Sequence, residues 1–176
     1  ATMIVNNTAL AIQYSFELIN PSADFQIRNG SLSAGQLIKN EGGSMYMENI
    51  CLLAGSNYQI IGGTEIWKNV CAEIENGSYQ TNNATVNMDN VKIKVTNGNF
   101  QHQSSSNLSG TINTLYVPNG NVDNTANWTA TVESYCVSSS VSVPTSYLPP
   151  NEDCSTINSH FSPCDCSGGG GSATIT

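Results

Sequence analysis

Apolar and polar residues alternate along most of this chain. Leu10, Ile12, Tyr14, Phe16 and Leu18 share one face of an extended segment, and Ala11, Gln13, Ser15 and Glu17 share the other. Period two over ten residues predicts a half-buried β-strand. "ADFQIR" follows, with Pro21 before it and Asn29-Gly30 after it as turn punctuation. "GQLIKNE" predicts a third strand, and "MENICLLAGSNYQIIGG" two more, split at Gly55-Ser56.

The stretch "TEIWKNVCAEIENGS" fits two periods. Ile66, Val70 and Ile74 are spaced as on a helix, yet Ile66, Val70, Ala72 and Ile74 also share a strand face broken only by Lys68. The Gly-rich flanks favour a strand, closed by Asn76-Gly77 as a hairpin turn. Val91, Ile93 and Val95 alternate with Lys92, Lys94 and Thr96. "SGTINTLYV" runs into a Pro-Asn-Gly turn, and Trp128, Ala130, Val132 and Cys136 lie on one face of the last strand.

Eight to ten short strands separated by Gly, Asn and Pro turns predict an all-β single domain, a β-sandwich or jelly-roll-like fold. No internal repeat of useful length stands out. After Val137 the character changes: residues 139–176 hold four of the six prolines, half the cysteines and few apolar residues. Such a segment cannot build its own core. The expected organisation is an N-terminal arm over 1–8, a sandwich body over 9–138, and an extended, disulfide-pinned C-terminal tail over 139–176.

Composition sharpens this. Only 10% of the residues are charged, and the net charge is −8 with five basic side chains. Nucleic-acid binding needs a basic footprint, which is missing. Anionic membrane surfaces are disfavoured for the same reason, and no apolar run reaches the roughly 18 residues of a spanning helix. Asn, Ser, Thr and Gly take the place of charge, the profile of a secreted or cell-surface protein that packs against copies of itself. The start at Ala1 fits a mature chain after signal removal.

In that setting Cys51, Cys71, Cys136, Cys154, Cys164 and Cys166 read as disulfides. Three lie in the body and three in the tail, so complete pairing requires a bridge between tail and body. The competing reading, a zinc site from Cys154, His160, Cys164 and Cys166, matches no familiar ligand spacing; no metal and no cofactor are expected.

The other candidates are weaker. His102 and His160 sit in polar stretches without the context of a nucleophile elbow. Glu73, Glu75, Asp123 and Glu133 could supply paired carboxylates, but a solvated strand face accounts for Glu73 and Glu75 more simply. Asn119, Asn121, Asp123 and Asn124 carry calcium-type oxygens with a single carboxylate among them, and an Asn-rich turn explains them. Sequons begin at Asn6, Asn29, Asn76, Asn83, Asn107 and Asn127; the Asn, Ser and Thr content produces about that many by chance, so they permit glycosylation without marking it.

Two terminal features point to assembly. Met3, Ile4 and Val5 form a short strand-competent arm before the polar "NNT". At the other end glycines 168–171 and Ser172 precede the alternating "ATIT". An arm that adds to a neighbour's sheet gains main-chain hydrogen bonds and covers an exposed edge. The sequence therefore predicts a non-enzymatic, secreted, extracellular structural subunit at the cell surface. Its partner is itself, in a filament or layer built by strand exchange and disulfides. The alternative is a monomeric, lectin-like adhesin module that binds a glycan through the loops around 97–128 and Trp128.

Overall fold

A computed structural model describes residues 1–157 and, as backbone, a strand at Ser172–Ile175. Cys164, Cys166 and His160 lie outside the described residues. The chain is all-β, but it is not a sandwich or jelly roll. It winds into a β-solenoid of about six turns, and every strand pairing among the described residues is parallel.

The first coil contains β1 (Thr2–Asn6), β2 (Ala9–Ile12) and β3 (Phe16–Leu18). Each following coil has one long and one short strand. These are β4 (Asp24–Ala34) and β5 (Ile38–Glu41), β6 (Ser44–Ala54) and β7 (Tyr58–Ile61), β8 (Thr64–Ile74) and β9 (Tyr79–Asn82). Then come β10 (Thr85–Val95) and β11 (Phe100–Gln103), and β12 (Asn107–Val117) and β13 (Val122–Asn124). β14 (Asn127–Trp128) and β15 (Thr131–Val137) close the stack, followed by a short α1 (Cys154–Ile157) and β16 (Ser172–Ile175).

Long strands stack in one sheet and short strands in a second. The long strands themselves bend. Asn29, Asn49, Asn69 and Asn90, each sixth in its eleven-residue strand, have φ between 51° and 55°. Asn7 adopts the same left-handed conformation between β1 and β2. Asn tolerates it better than any residue but Gly. One such residue turns the strand, so each coil has three sides. In β12 the turn falls to Gly110, with φ 98°, where a Cβ would collide with the carbonyl of Met88.

Two expectations fail here for one physical reason. The Asn-Gly pairs are not hairpin turns; Asn29 is a kink within β4, and Asn76 lies at a corner where the chain moves on to β9. The alternating stretch from Leu10 to Leu18 is two strands on two sides, broken at a corner that leaves Tyr14 exposed. The repeat also exists: strand partners are offset by 20 to 22 residues along the stack. The stretch with both periods is the strand β8.

Alternate residues still point inward, now into a core enclosed by the three sides. Phe25, Met45, Glu65, Val86, Leu108 and Trp128 form one inward column, in register from coil to coil. Ile38, Tyr58, Tyr79, Phe100 and Val122 form another. In it Tyr58 and Tyr79 stack at 5.8 Å, and Tyr79 and Phe100 at 4.4 Å. Trp67 meets Tyr58 and Tyr79 edge-on, at 5.3 and 6.1 Å.

Outward positions carry polar ladders. Asn49 donates to Asn29 at 2.9 Å, Asn69 to Asn49 at 2.8 Å and Asn90 to Asn69 at 2.6 Å. Gln59 donates to Gln80 and Gln80 to Gln101, both at 2.7 Å. Just before each kink the charge alternates up the stack: Arg28, Glu48, Lys68, Asp89. Arg28 and Glu48 approach to 3.6 Å, and both Arg28 and Lys68 lie over the ring of Tyr46. Lys68→Glu would put three carboxylates on consecutive rungs. We expect a loss of about 1 kcal/mol in urea unfolding at low salt, shrinking as salt is raised. A salt-independent loss would mean that packing on Tyr46, not charge order, is what Lys68 contributes.

Candidate functional site

The two ends of the solenoid differ. At the C-terminal end the chain covers its own last coil. Val143 is buried there, and Tyr147 and Leu148 pack on the core. The Asn151 side chain accepts from the Val137 N–H and donates to the Val137 carbonyl, both at 3.1 Å. The Glu152 N–H donates to the Tyr135 carbonyl at 2.9 Å. An amide side chain and one peptide thus replace the strand that would pair next with β15. Cys136 on β15 is bonded to Cys154, which joins the tail to the body.

At the N-terminal end, among the described residues, β1 pairs only with β4, and β3 only with β5. β2 has a described strand on its other side: β16 runs parallel to it, Ser172 beside Ala9 through Ile175 beside Ile12. Met3 (47% exposed), Ile4 (57%), Tyr14 (59%) and Ile19 (66%) all belong to this first coil. They are four of the seven exposed large hydrophobic residues among those described. Soluble proteins seldom leave apolar side chains gathered beside unpaired strand edges. The arm residues Met3, Ile4 and Val5 therefore sit inside the first coil, in β1.

The second unusual feature is internal. Glu65 is fully buried on β8. Its carboxylate accepts from the Tyr58 hydroxyl at 2.8 Å, the Trp67 indole N–H at 2.8 Å and the Asn40 amide at 3.1 Å. Burial nevertheless pushes its pKa up to about 7, against the three hydrogen bonds that favour the ion. The Asn40 Oδ1 has no partner. A protonated Glu65 would supply one, because turning the Asn40 amide brings Oδ1 to face the acid proton. This centre is sealed in the core.

Compared with known proteins, the chain matches no family model, no curated protein and no solved structure. Its chemistry must be read from its own residues.

His102 is buried: its Nε2–H donates to the Asn127 carbonyl at 3.1 Å, and its Nδ1 accepts from the Thr81 hydroxyl at 2.7 Å. Burial lowers its pKa, which keeps it neutral in this role. Trp128 is also core, edge-on to Phe100 at 5.6 Å with its indole N–H on the Ala130 carbonyl, so it offers no stacking face to a sugar.

The carboxylates are scattered. Glu73 on β8 and Glu133 on β15 are three strands apart, about 14 Å or more, and out of register along the strands; Glu133 accepts from Asn113, and Asp123 is on the short-strand side. Asn119, Asn121 and Asn124 bind corner backbone: Asn119 donates to the Thr96 carbonyl, while Asn121 and Asn124 accept from the N–H groups of Ser140 and Ala126. Among the described residues no cluster of three or more His, Cys, Asp or Glu could hold a metal.

Cys51 and Cys71 are neighbours across β6 and β8, and both are disulfide-bonded. The Cys136–Cys154 bridge suggests an oxidising, extracellular environment. No described helix is long and apolar enough to cross a membrane. The sequon residues Asn6, Asn29, Asn76, Asn83, Asn107 and Asn127 are all exposed. Asn29 belongs to the kink ladder, and Asn127 donates to Asn107 at 2.9 Å. The apolar first coil escaped notice in the sequence because Tyr14 falls on the apolar face if residues 10–18 are one strand. Glu65 escaped because a lone Glu in an alternating stretch reads as solvent-facing.

Proposed function

We propose that this protein is a secreted structural subunit that assembles with copies of itself, end on, into an extracellular filament or surface layer. The observation that carries the reading is the asymmetry of the two ends. The last coil is covered by its own chain, while the first coil combines outer edges on β1 and β3 that carry no strand among the described residues with exposed Met3, Ile4, Tyr14 and Ile19. The low fraction of charged residues supports it, since few charged side chains must be desolvated where copies pack.

Light scattering across a dilution series, with negative-stain microscopy, tests this. The mass should rise above that of one chain as concentration increases. The double substitution Ile4→Lys and Ile19→Lys should weaken association by at least about tenfold while leaving the circular dichroism spectrum unchanged. A protein that stays monomeric at every concentration, with smooth, unassembled particles in the microscope, sinks the reading.

A further inference from the structure

Resting on that assembly reading, we propose that the C-terminal strand β16 is an exchangeable donor: its acceptor is β2, of its own chain in the closed monomer and of a second copy in the assembly.

The acceptor is defined by register. β16 pairs with β2 in parallel over Ala9–Ile12. The carbonyls of Thr8 and Ile12 accept from Ser31 and Gly35. Main-chain groups alternate sides along a strand, so Thr8, Leu10 and Ile12 address β4, and Ala9 and Ala11 address the side where β16 lies. The site reads main chain, and any copy of the segment satisfies it equally.

The reach is ample in both directions. The tail is anchored at the C-terminal end by the Cys136–Cys154 bridge, and α1 sits against β15. To reach its own β2 edge, the chain must pass back over seven strand spacings, from β15 to β16, or about 34 Å. Fifteen residue steps separate Ile157 from Ser172, enough for about 50 Å when extended. A copy stacked with its first coil over the covered end would present its β2 much closer to the anchor than the chain's own β2 is.

The exchange also accounts for the exposed end. In the closed form β16 covers β2, and among the described residues the outer edges of β1 and β3 carry no strand. Stacking a copy there covers the open edges of the first coil, and the donated strand adds one strand to the acceptor's long-strand sheet. The bridge Cys136–Cys154 lies before the linker, so it is the same in the closed and exchanged forms.

Two complementary variants test this. Ala11→Pro removes a main-chain donor from the acceptor edge and leaves a donor-only chain. Ile175→Pro removes the corresponding donor from β16 and leaves an acceptor-only chain; truncation before Ser172 is its second form, should the proline disturb folding. Each protein is refolded from the reduced state at high concentration, alone and mixed one to one, then reoxidised and sized by light scattering. Each variant alone should lose at least nine-tenths of the assembled fraction seen with the natural chain. The mixture should yield a species of twice the monomer mass, containing both chains by mass spectrometry. A mixture without that heterodimer overturns strand exchange. If the variants also assemble as well as the natural chain, the assembly reading stands and end packing alone drives it. If the natural chain stays monomeric while the mixture forms the heterodimer, exchange stands and the assembly reading falls.

Discussion

Raising the pH from 4.5 to above 7 should destabilise this protein by about 3 kcal/mol through Glu65 alone. The pKa of the folded state, about 7, lies above the ordinary value of 4.5, with burial as the main cause. The folded chain therefore holds a proton that the unfolded chain releases. A group raised in this way adds its full stability below the unfolded pKa and loses it as pH climbs through the folded one. A shift of about 2.5 units at 1.36 kcal/mol each gives the magnitude. Among the described residues no cation pairs with the carboxyl; its hydrogen-bond partners are Tyr58, Trp67 and Asn40, and burial and Glu65 itself push the Tyr58 and Tyr79 hydroxyls far up, which keeps them neutral.

Glu65→Gln isolates the effect. Its oxygen can accept from Tyr58 and Trp67 where Oε2 does now, and its amide can meet the turned Oδ1 of Asn40. Urea unfolding of both proteins from pH 4.5 to 8.5 should give curves that converge at the acid end and separate above neutrality, with the variant the more stable. His102, whose pKa burial lowers, acts with the opposite sign below its ordinary value of 6.5; it is common to both proteins and cancels in the difference. Parallel curves would mean that Glu65 is ionised in the fold at acid pH.

The all-β class could be read from alternation because alternation is local. Each strand has an inside and an outside whether its neighbour is the next hairpin arm or the next coil. The choice between sandwich and solenoid lies in what repeats about 20 residues away. That signal is present: Arg28-Asn29, Glu48-Asn49, Lys68-Asn69 and Asp89-Asn90 recur at intervals of 20, 20 and 21. Gly77-Ser78-Tyr79, Gly98-Asn99-Phe100 and Gly120-Asn121-Val122 recur at 21 and 22. It is faint because inward placement in a column does not fix residue identity. The column that runs Phe25, Met45, Glu65, Val86, Leu108, Trp128 shares no residue type at all.

Turn chemistry misled in the same way. Asn-Gly favours positive φ, and a hairpin is only one use of it. The solenoid uses that preference to bend a strand without reversing it. The odd split of cysteines was informative because it counts bonds and needs no fold, and the Cys136–Cys154 bridge joins tail to body. The ends were hard to read, since which coil lies outermost depends on the winding.

The kink residues make a direct test of that winding. Asn69 has φ 51°, donates to Asn49 at 2.8 Å and accepts from Asn90 at 2.6 Å. Asn69→Val asks a β-branched residue to hold a left-handed conformation, which costs about 1–2 kcal/mol for an ordinary side chain and more for a branched one. It also removes two exposed side-chain hydrogen bonds, each contributing about 0.5 kcal/mol or more. The expected loss is about 3 kcal/mol. Asn69→Gly keeps the backbone free to adopt the kink and loses only the ladder, so it should cost about 1 kcal/mol. Asn69→Ala should fall between them. The order Val, Ala, Gly in urea midpoints, at constant slope, is what a left-handed bend in β8 requires. If Gly were as damaging as Val, the hydrogen-bonded ladder, not the bend, would be what holds this corner. If Val were tolerated, β8 would run straight, and the three-sided coil would be wrong at its most regular point.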